Sequence, residues 1–275
     1  MNKIAILGPK GSFCHIIAEM TFPKQDFLFC NTIEEIFRAV SKEEAEKGIA
    51  PIENMLQGTV RESIFALKKY KVKINALYHL PVHHCLAGLN PDFKKIVSHV
   101  QAIGQCTDFL ESYRKKGIQV EEVASTSKAM EIASKDKSYA AIGSTLAAKE
   151  FNLNIFKTSI EDNHDNLTSF ILISNKENTL TKANSRSAIL IHPLKDRPGL
   201  LYEILAIFKI KDINLTKIES IPSGKKIGDY LFFMEIEGNL NDERIISALN
   251  FLRSIHEVYP FGSYEVKDFS GYDRN

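Results

Sequence analysis

Short apolar runs alternate with segments of helical periodicity over roughly the first 175 residues. The run "KIAILG" is followed by "SFCHIIAEMTF", "DFLFCN" is followed by "TIEEIFRAVSK", and the alternation continues to "LTSFILIS". Runs that end at glycine or a polar turn are typical of strands, and apolar residues three and four apart are typical of helices. The alternation therefore predicts an α/β domain with a mostly parallel sheet, whose ligand sites lie at the carboxyl ends of its strands.

The pattern changes after "NKENTLTKANSRS", a polar segment without apolar periodicity that is typical of a linker. Beyond it the predicted order is strand "AILIHP", helix "PGLLYEILAIFKIKD", strands "INLTKIESIP" and "DYLFFMEIEG", helix "NDERIISALNFLRSI" and strand "HEVYPFGSY". This βαββαβ order is the ferredoxin-like arrangement. We therefore expect two domains, over residues 1–177 and 186–265.

Composition excludes several classes of protein. A hydrophobic content of 44% in 275 residues is enough for a substantial core. The formal charge is +1, with no long basic block, so binding to nucleic acid or a membrane surface has no electrostatic support. No run approaches the roughly 20 apolar residues of a spanning helix, and the chain opens directly into a strand. The four cysteines lack the paired spacing of zinc or redox motifs, and we expect reduced thiols in a cytosolic protein.

Two turns at predicted strand ends carry groups suited to a ligand. "GPKGSF" is neither the three-glycine dinucleotide fingerprint nor a Walker loop. Its glycines let the backbone approach a ligand, and the following helix N-terminus attracts anions. A tight turn with Ser12 as the N-cap explains the same residues without a ligand. In "APIENMLQGTV", Glu53 and Asn54 form either a simple polar turn or the edge of a cleft.

The segment "EDNHDNLTSF" places amides and hydroxyls directly before an apolar strand. An Asx-rich turn that leads into a core strand is one explanation. The two-residue period of a strand puts Thr168 and Phe170 on one face and Ser169 on the other, so one hydroxyl faces a ligand while the other supports it. Ser98 and His99 form a further polar cluster where a predicted strand meets a helix. The histidines of the chain lack the spacing of a metal-binding set. No serine or cysteine lies in a recognisable nucleophile elbow, so a nucleophilic triad has little support.

Taken together, these segments resemble the prephenate dehydratase family with a C-terminal ACT regulatory domain. The matching pieces occur in order: "GPKGSF", "PIENMLQGTV", "HHCLAG", "SHVQAIGQC", "ASTSKAM", "AAIGSTLAA", "IEDNHDNLTSF", "PGLLYEIL" and "INLTKIESIP". The resemblance implies a two-lobed catalytic domain of the periplasmic-binding-protein type followed by the ACT domain. It also implies conversion of prephenate to phenylpyruvate in phenylalanine biosynthesis without cofactor or metal, and inhibition by L-phenylalanine.

The resemblance also implies roles for individual residues. Thr168 is expected to donate to the leaving hydroxyl, with Glu53 and His99 completing the catalytic set. The implied substrate-binding residues are Gly11, Ser12, Asn54, Ser98, Gln101, Ser125, Thr126, Asn163, Asn166 and Phe170. The implied effector site, between the ACT domains of a homodimer or homotetramer, contains Gly199, Leu200, Asn214, Leu215 and Glu219.

Several positions depart from the family's motifs. Ser169 stands where the family has arginine beside the key threonine, Met55 replaces a serine, and Val100 replaces a proline. In the ACT domain Ile221 replaces an arginine, and Leu200 enlarges the glycine turn. Two alternatives therefore stay open: arogenate, with an amino group in place of the keto group, as the substrate, and a catalytically weak sensor of aromatic metabolites.

Overall fold

The computed structural model describes residues 3–177, 185–224, 226 and 228–269. Most of the predicted linker, residues 178–184, lies outside this range. The first lobe contains β1 (Lys3–Leu7), α1 (Phe13–Thr21), β2 (Asp26–Cys30), α2 (Ile33–Ser41), β3 (Lys47–Asn54), β4 (Gly58–Thr59), α3 (Arg61–Tyr70) and β5 (Lys73–Pro81). The hydroxyls of Ser12 and Thr32 cap α1 and α2, as their positions before the apolar periodicity predict.

The second lobe is formed by the next part of the chain. Its elements are β6 (Cys85–Gly88), β7 (Lys95–Ser98), α4 (Val100–Gly104), α5 (Thr107–Arg114), β8 (Gln119–Glu122), α6 (Thr126–Lys135), β9 (Tyr139–Gly143), α7 (Thr145–Glu150) and β10 (Asn154–Lys157). The five strands form a separate sheet in the order β10-β6-β9-β7-β8.

Strand β11 (Leu167–Ser174) returns to the first lobe and lies between β5 and β3. It is antiparallel to both neighbours, because β5 leaves the first lobe and β11 comes back from the second. Antiparallel pairs also join β6 to β9 and to β10, so the sheets are mixed and the prediction of mostly parallel sheets was wrong. The two connections between the lobes lie side by side, with Val82 N donating to Asn166 O at 2.8 Å. The predicted two-lobed architecture is confirmed.

The C-terminal part has the predicted βαββαβ order. It contains β12 (Arg186–Pro193), α8 (Leu200–Ile210), β13 (Leu215–Pro222), β14 (Tyr230–Glu237), α9 (Glu243–Ile255) and β15 (His256–Asp268). The end of β15 pairs in parallel with β5, so its sheet and that of the first lobe are one continuous sheet. Residue 265, the expected domain end, lies inside this strand. At Gly262, φ is +118°, and a Cβ would lie 2.7 Å from Ile74 O, so only glycine fits where β15 approaches β5.

Both faces of the C-terminal sheet are buried. Helices α8 and α9 cover one face, where Ile204, Phe208 and Leu249 belong to one apolar cluster. On the other face Leu190 and Phe233 belong to the same buried cluster as apolar residues of the first lobe. Burial of an aliphatic or phenyl side chain contributes roughly 1.5–3 kcal/mol. The C-terminal domain is therefore packed against its own first lobe by apolar contacts.

All four cysteines, Cys14, Cys30, Cys85 and Cys106, are buried, and none of them forms a disulfide. Burial raises the pKa of Cys14 and of Cys106 to about 12, so these thiols stay protonated near neutral pH. Within the described ranges, no helix combines the length and apolar character needed to cross a membrane, and no three His, Cys, Asp or Glu side chains are grouped so as to hold a metal ion.

Candidate active site

A cleft of about 480 Å³ lies between the two lobes, at the place where the connecting segments cross. Eight of the thirteen residues that the sequence predicts for catalysis or substrate binding line it together: Ser12, Asn54, His99, Gln101, Ser125, Thr126, Thr168 and Phe170. They come from five separate segments of the chain. The fold thus gathers most of the predicted site at one cavity.

Asn54 and Thr168 form a fixed pair on adjacent strands of this cleft. They are direct partners in the register of β3 and β11, and Asn54 Nδ2 donates to Thr168 Oγ1 at 2.9 Å. Asn54 Oδ1 accepts from the backbone N–H groups of Leu56 and Gln57, each at 3.1 Å. Because these donors require the oxygen on their side, the amide group is oriented with its nitrogen toward Thr168.

The orientation of Asn54 decides what Thr168 can do. A hydroxyl has one proton to donate, and its oxygen already accepts from Asn54. Among the described residues, no acceptor takes the Thr168 proton. Thr168 is half-buried and lines the cleft. Its proton is therefore available to a ligand in the cleft, while Asn54 stabilises charge that develops on the oxygen.

Helix N-termini meet at the same cavity. Ser12 caps α1 by accepting from His15 N, and Ser125 caps α6 by accepting from Lys128 N at 3.0 Å. His99 caps the short helix α4 through Nδ1. The first amides of a helix have no partner within the helix and carry a partial positive charge. The longer helices α1 and α6 thus offer N–H donors to an anion from both lobes.

The cleft lining is nearly free of ionisable side chains. In the part of the chain that the structure describes, its lining contains no lysine, arginine, aspartate or glutamate. His84 and His99 are its two histidines. Charge on a bound anion must therefore be met by hydrogen-bond donors and helix dipoles rather than by a fixed cation.

His84 and Gln105 are two lining residues that the sequence did not single out. His84 Nε2 lies 2.8 Å from Gln105 Oε1, and burial lowers the pKa of the imidazole. A neutral ring with its proton on Nε2 fits this contact, and His84 Nδ1 has no partner among the described residues. Both residues lie in quoted motifs, "HHCLAG" and "SHVQAIGQC", but neither spacing nor periodicity indicates that they meet.

Glu161 fixes the backbone beside His84. Its carboxylate accepts from His84 N at 2.8 Å and contacts His83 Nδ1 at 2.7 Å and His164 Nδ1 at 3.2 Å. Burial alone would raise the pKa of Glu161, but these hydrogen bonds hold it below its ordinary value. A charged carboxylate thus ties together the two segments that connect the lobes.

Four predicted substrate-binding residues lie outside the cleft lining. Ser98 is fully buried and donates to Ile142 O at 2.7 Å. Asn163 is exposed in a turn, where its Oδ1 accepts from Asp165 N. Asn166 is buried, and its Oδ1 accepts from Asn54 Nδ2 at 3.2 Å. Each of these three side chains therefore hydrogen-bonds to the surrounding protein and does not face the cavity.

Gly11 is the fourth of these residues, and it lies where the lobes touch. Its φ is +84°, and a Cβ at this position would lie 2.8 Å from Ala147 Cβ in the second lobe. Its carbonyl accepts from Ser144 Oγ at 2.9 Å. Gly11 therefore permits close packing of the lobes.

Glu53, expected in the catalytic set, also points away from the cleft. Its Oε2 lies 2.8 Å from Lys217 Nζ in the C-terminal domain. The catalytic role expected for Glu53 stays a prediction, and its carboxylate has a partner that the sequence did not indicate.

A hydrogen bond across the cleft mouth joins the lobes. Gln101 Nε2 in the second lobe donates to Gln57 Oε1 in the first at 3.0 Å. Both side chains are exposed, and both line the cleft. Gln57 was not expected from the sequence, although it lies in the same turn as Asn54. A ligand that enters the cleft meets this bridge.

Ser169 points to the opposite face from Thr168, as the strand period predicts. It is buried, and its Oγ lies 2.9 Å from His79 Nδ1. Burial lowers the pKa of His79, so a neutral imidazole partners this serine. The Ser169 side chain therefore contacts the neighbouring strand β5 on the face that points away from the cleft.

The predicted effector residues lie at two places in the C-terminal domain. Gly199, with φ of +83°, is the N-cap of α8, and Leu200 is the first residue of that helix and is buried. Asn214 precedes β13, where its carbonyl accepts from Glu237 N, and Leu215 begins the strand. The Glu219 carboxylate accepts from Thr59 Oγ1 of the first lobe.

Ile221, at the position of the family's arginine, is fully buried in the apolar cluster between the domains. A guanidinium at this position would have to leave that cluster or lie uncompensated within it.

Comparison with known proteins places these features in a family. The model of the prephenate dehydratase family matches residues 4–178, and the ACT domain model matches residues 194–254. The bifunctional chorismate mutase/prephenate dehydratase of Aquifex aeolicus is 37% identical over 255 residues, which are 91% of this chain and 70% of that protein. The prephenate dehydratase of Methanocaldococcus jannaschii is 36% identical over 279 residues, 98% of this chain and 100% of that protein.

A solved structure agrees over the whole fold. The prephenate dehydratase of Arthrobacter aurescens, crystallised in complex with L-Phe, superimposes with a TM-score of 0.85 at 30% identity, covering 96% of this chain and 90% of that one. The chain therefore belongs to the prephenate dehydratase family and carries a C-terminal ACT domain.

Proposed function

We propose that this chain converts prephenate to phenylpyruvate and that its ACT domain responds to L-phenylalanine. The observation that carries the catalytic part is the Thr168 hydroxyl, which lines the cleft and whose oxygen accepts from Asn54 at 2.9 Å, so that its proton can be donated to a ligand. Family membership supplies the substrate class, and the interlobe cleft has room for one small ring compound.

The reaction breaks two bonds that join substituents to the cyclohexadiene ring, and the ring becomes aromatic. The ring carboxylate leaves as CO₂, and the electron pair of its C–C bond enters the ring. The C–O bond opposite breaks, and the hydroxyl leaves with a proton as water. A donor to this hydroxyl stabilises the charge that develops on the departing oxygen.

Thr168 is the donor that we assign to this oxygen. The Asn54 amide stabilises the negative charge that shifts onto Thr168 Oγ1 during donation, because its hydrogen bond to that oxygen becomes stronger as the charge grows. The proton that water carries away is replaced from solvent, because the cleft lining includes no carboxylic acid among the described residues. His99 and Gln101 lie at the opposite wall, within the second lobe, and are assigned to orientation of the substrate.

The substrate carboxylate that is retained through the reaction needs donors in a cleft without a fixed cation. We assign the helix N-termini at Ser12 and Ser125 to this task, because each offers unpaired amides to an anion. Glu53 is assigned a supporting role through its ion pair with Lys217.

We propose further that L-phenylalanine binds near Gly199, Leu200, Asn214 and Leu215, between ACT domains of a homodimer or homotetramer. The Arthrobacter relative was crystallised with L-Phe, which supports an effector of this kind. Glu219 is the exception, because its carboxylate contacts the first lobe. The domain limits 1–177 and 186–265 and a cytosolic location stay predictions from the sequence.

The deciding experiment supplies purified protein with prephenate and, separately, with arogenate. Formation of phenylpyruvate from prephenate supports the proposal, whereas faster formation of phenylalanine from arogenate makes arogenate the substrate. Thr168→Val serves as the matched inactive control, and Thr168→Ser keeps the hydroxyl. If neither compound is turned over but aromatic metabolites raise the unfolding temperature, the chain is a sensor.

A further inference from the structure

Strand β13 of the ACT domain contacts the turn that carries Asn54. Lys217 Nζ lies 2.8 Å from Glu53 Oε2, and the Glu219 carboxylate accepts from Thr59 Oγ1. Lys217, Glu219 and Ile221 are alternate residues of β13, so they share the face toward the first lobe. Glu53 and Thr59 pair with each other at the base of the β3–β4 turn. The ACT strand thus contacts both sides of that base.

Lys217 is held between carboxylates of the two domains. Its side chain is 14% exposed, against 39% for Glu53. Glu235 is the direct partner of Lys217 in the register of β13 and β14, and it is buried. Burial raises the pKa of Glu235, Lys217 and Arg186 oppose that rise, and Glu53 adds to it. Among the described residues, Nζ has no hydrogen bond, and the short contact with Glu53 is an ion pair. Without the lysine, Glu53 and Glu235 would repel each other.

The turn between Glu53 and Thr59 carries two contacts of the cleft. Asn54 orients the Thr168 hydroxyl, and Gln57 bridges to Gln101 of the second lobe. Asn54 follows Glu53 directly, so a shift of the Glu53 backbone moves the donor to Thr168.

From this geometry we infer that Lys217 is a positioning residue for the active site. It acts through the Glu53 carboxylate and fixes the turn that holds Asn54 and Gln57. Glu53 then contributes to turnover through its ion pair with the ACT strand, without touching the substrate. The kinetic part of this inference rests on the proposed dehydratase function.

A double-mutant cycle tests the inference. Lys217→Met keeps the length of the side chain, and Glu53→Gln keeps its shape, while each removes one charge. We expect each to lower kcat roughly tenfold to a hundredfold with KM near its wild-type value, because a misplacement of about 1 Å can cost about 10²-fold. The double variant is expected to be no worse than either single variant. Lys217→Arg keeps the positive charge, so this variant is expected to retain much of the wild-type kcat.

The control is Lys95→Met, which removes a Lys–Glu ion pair of 2.6 Å in the second lobe, outside the cleft. It is expected to leave kcat unchanged. If Glu53→Gln lowers kcat far more than Lys217→Met, or if the two losses multiply in the double variant, Glu53 acts on the substrate itself and the inference is overturned.

Amide hydrogen exchange provides a readout that does not need turnover. Met55 N donates to Leu167 O at 2.9 Å, and Val60 N donates to Ile52 O at 2.8 Å, so both report the order of the turn. Faster exchange at residues 55–60 is expected in Lys217→Met and Glu53→Gln but not in Lys95→Met. Unchanged exchange would refute the positioning role even if the rates fall. A wild-type protein without turnover would refute the proposed function, and the exchange data would still decide the positioning role.

Discussion

Replacement of Thr168 by valine removes one hydroxyl from the cleft and keeps the branched shape of the side chain. If that hydroxyl donates to the departing oxygen, the loss falls on the transition state. Removal of one such donor typically lowers the rate by about 10² to 10³, equivalent to roughly 2.7–4 kcal/mol in the activation barrier. We therefore expect kcat to fall by this factor, with little change in KM, because the donor acts mainly in the transition state.

The fold is expected to tolerate this change. Asn54 Nδ2 loses its contact with Thr168 Oγ1 but keeps Asn166 Oδ1 at 3.2 Å and Leu167 O at 3.5 Å as acceptors. The cost of the lost hydrogen bond is about 1 kcal/mol. Thermal unfolding is expected to shift by only a few degrees, which separates the catalytic effect from a folding defect.

The assay follows phenylpyruvate formation over a range of prephenate concentrations for wild type, Thr168→Val and Thr168→Ser. The serine variant keeps the hydroxyl and Asn54 as its partner, so most of the rate is expected to remain. A valine variant that keeps more than about a tenth of the wild-type kcat would show that Thr168 is not the donor.

Three further predictions concern the buried serine, the buried histidine and the ACT domain. Ser169→Arg is expected to destabilise the fold by about 1–3 kcal/mol in urea unfolding without lowering the KM for prephenate, because Ser169 is buried against His79; normal stability with a lower KM would contradict this. Burial lowers the pKa of His84 in the folded state, so below the unfolded-state pKa of about 6.5 the unfolded chain binds more protons than the folded one, and stability is lost as the pH falls below that value. His84→Gln should flatten this dependence in thermal unfolding, and an unchanged slope would refute the assignment. Millimolar L-phenylalanine is expected to inhibit turnover and raise the unfolding temperature, more weakly than in relatives with arginine at residue 221; neither effect would mean that the ACT domain serves assembly or another ligand.

Local patterns in the sequence predicted the elements and much of the cleft. The N-caps at Ser12 and Thr32 and the opposite orientation of Thr168 and Ser169 follow from short-range rules, and each is found in the structure. The predicted βαββαβ order is also found. These features depend on residues only a few positions apart, so periodicity and capping are sufficient to predict them.

Long-range pairing was beyond such rules. The sequence of strand β11 has the same apolar pattern as the other predicted strands. Nothing in "LTSFILIS" indicates that this strand lies antiparallel between β5 and β3. In the same way, Glu53 and Lys217 are 164 positions apart in the sequence and meet only because β13 lies against the β3–β4 turn. Motif similarity assigned Glu53 to the cleft, whereas the orientation of its side chain depends on this domain contact.

The neutral cleft is physically suited to a decarboxylation. A lysine or arginine beside the ring carboxylate would stabilise the charged reactant more than a transition state in which that charge moves into the ring, so it would oppose the reaction. The second carboxylate keeps its charge throughout, and helix N-terminal amides can hold it equally in both states. In this chain the position beside Thr168 is a serine that faces away from the cleft, and the described lining contains no lysine or arginine. This supports our proposal that the cleft binds the substrate through dipoles and stabilises developing charge at the Thr168–Asn54 pair, where the C–O bond would break.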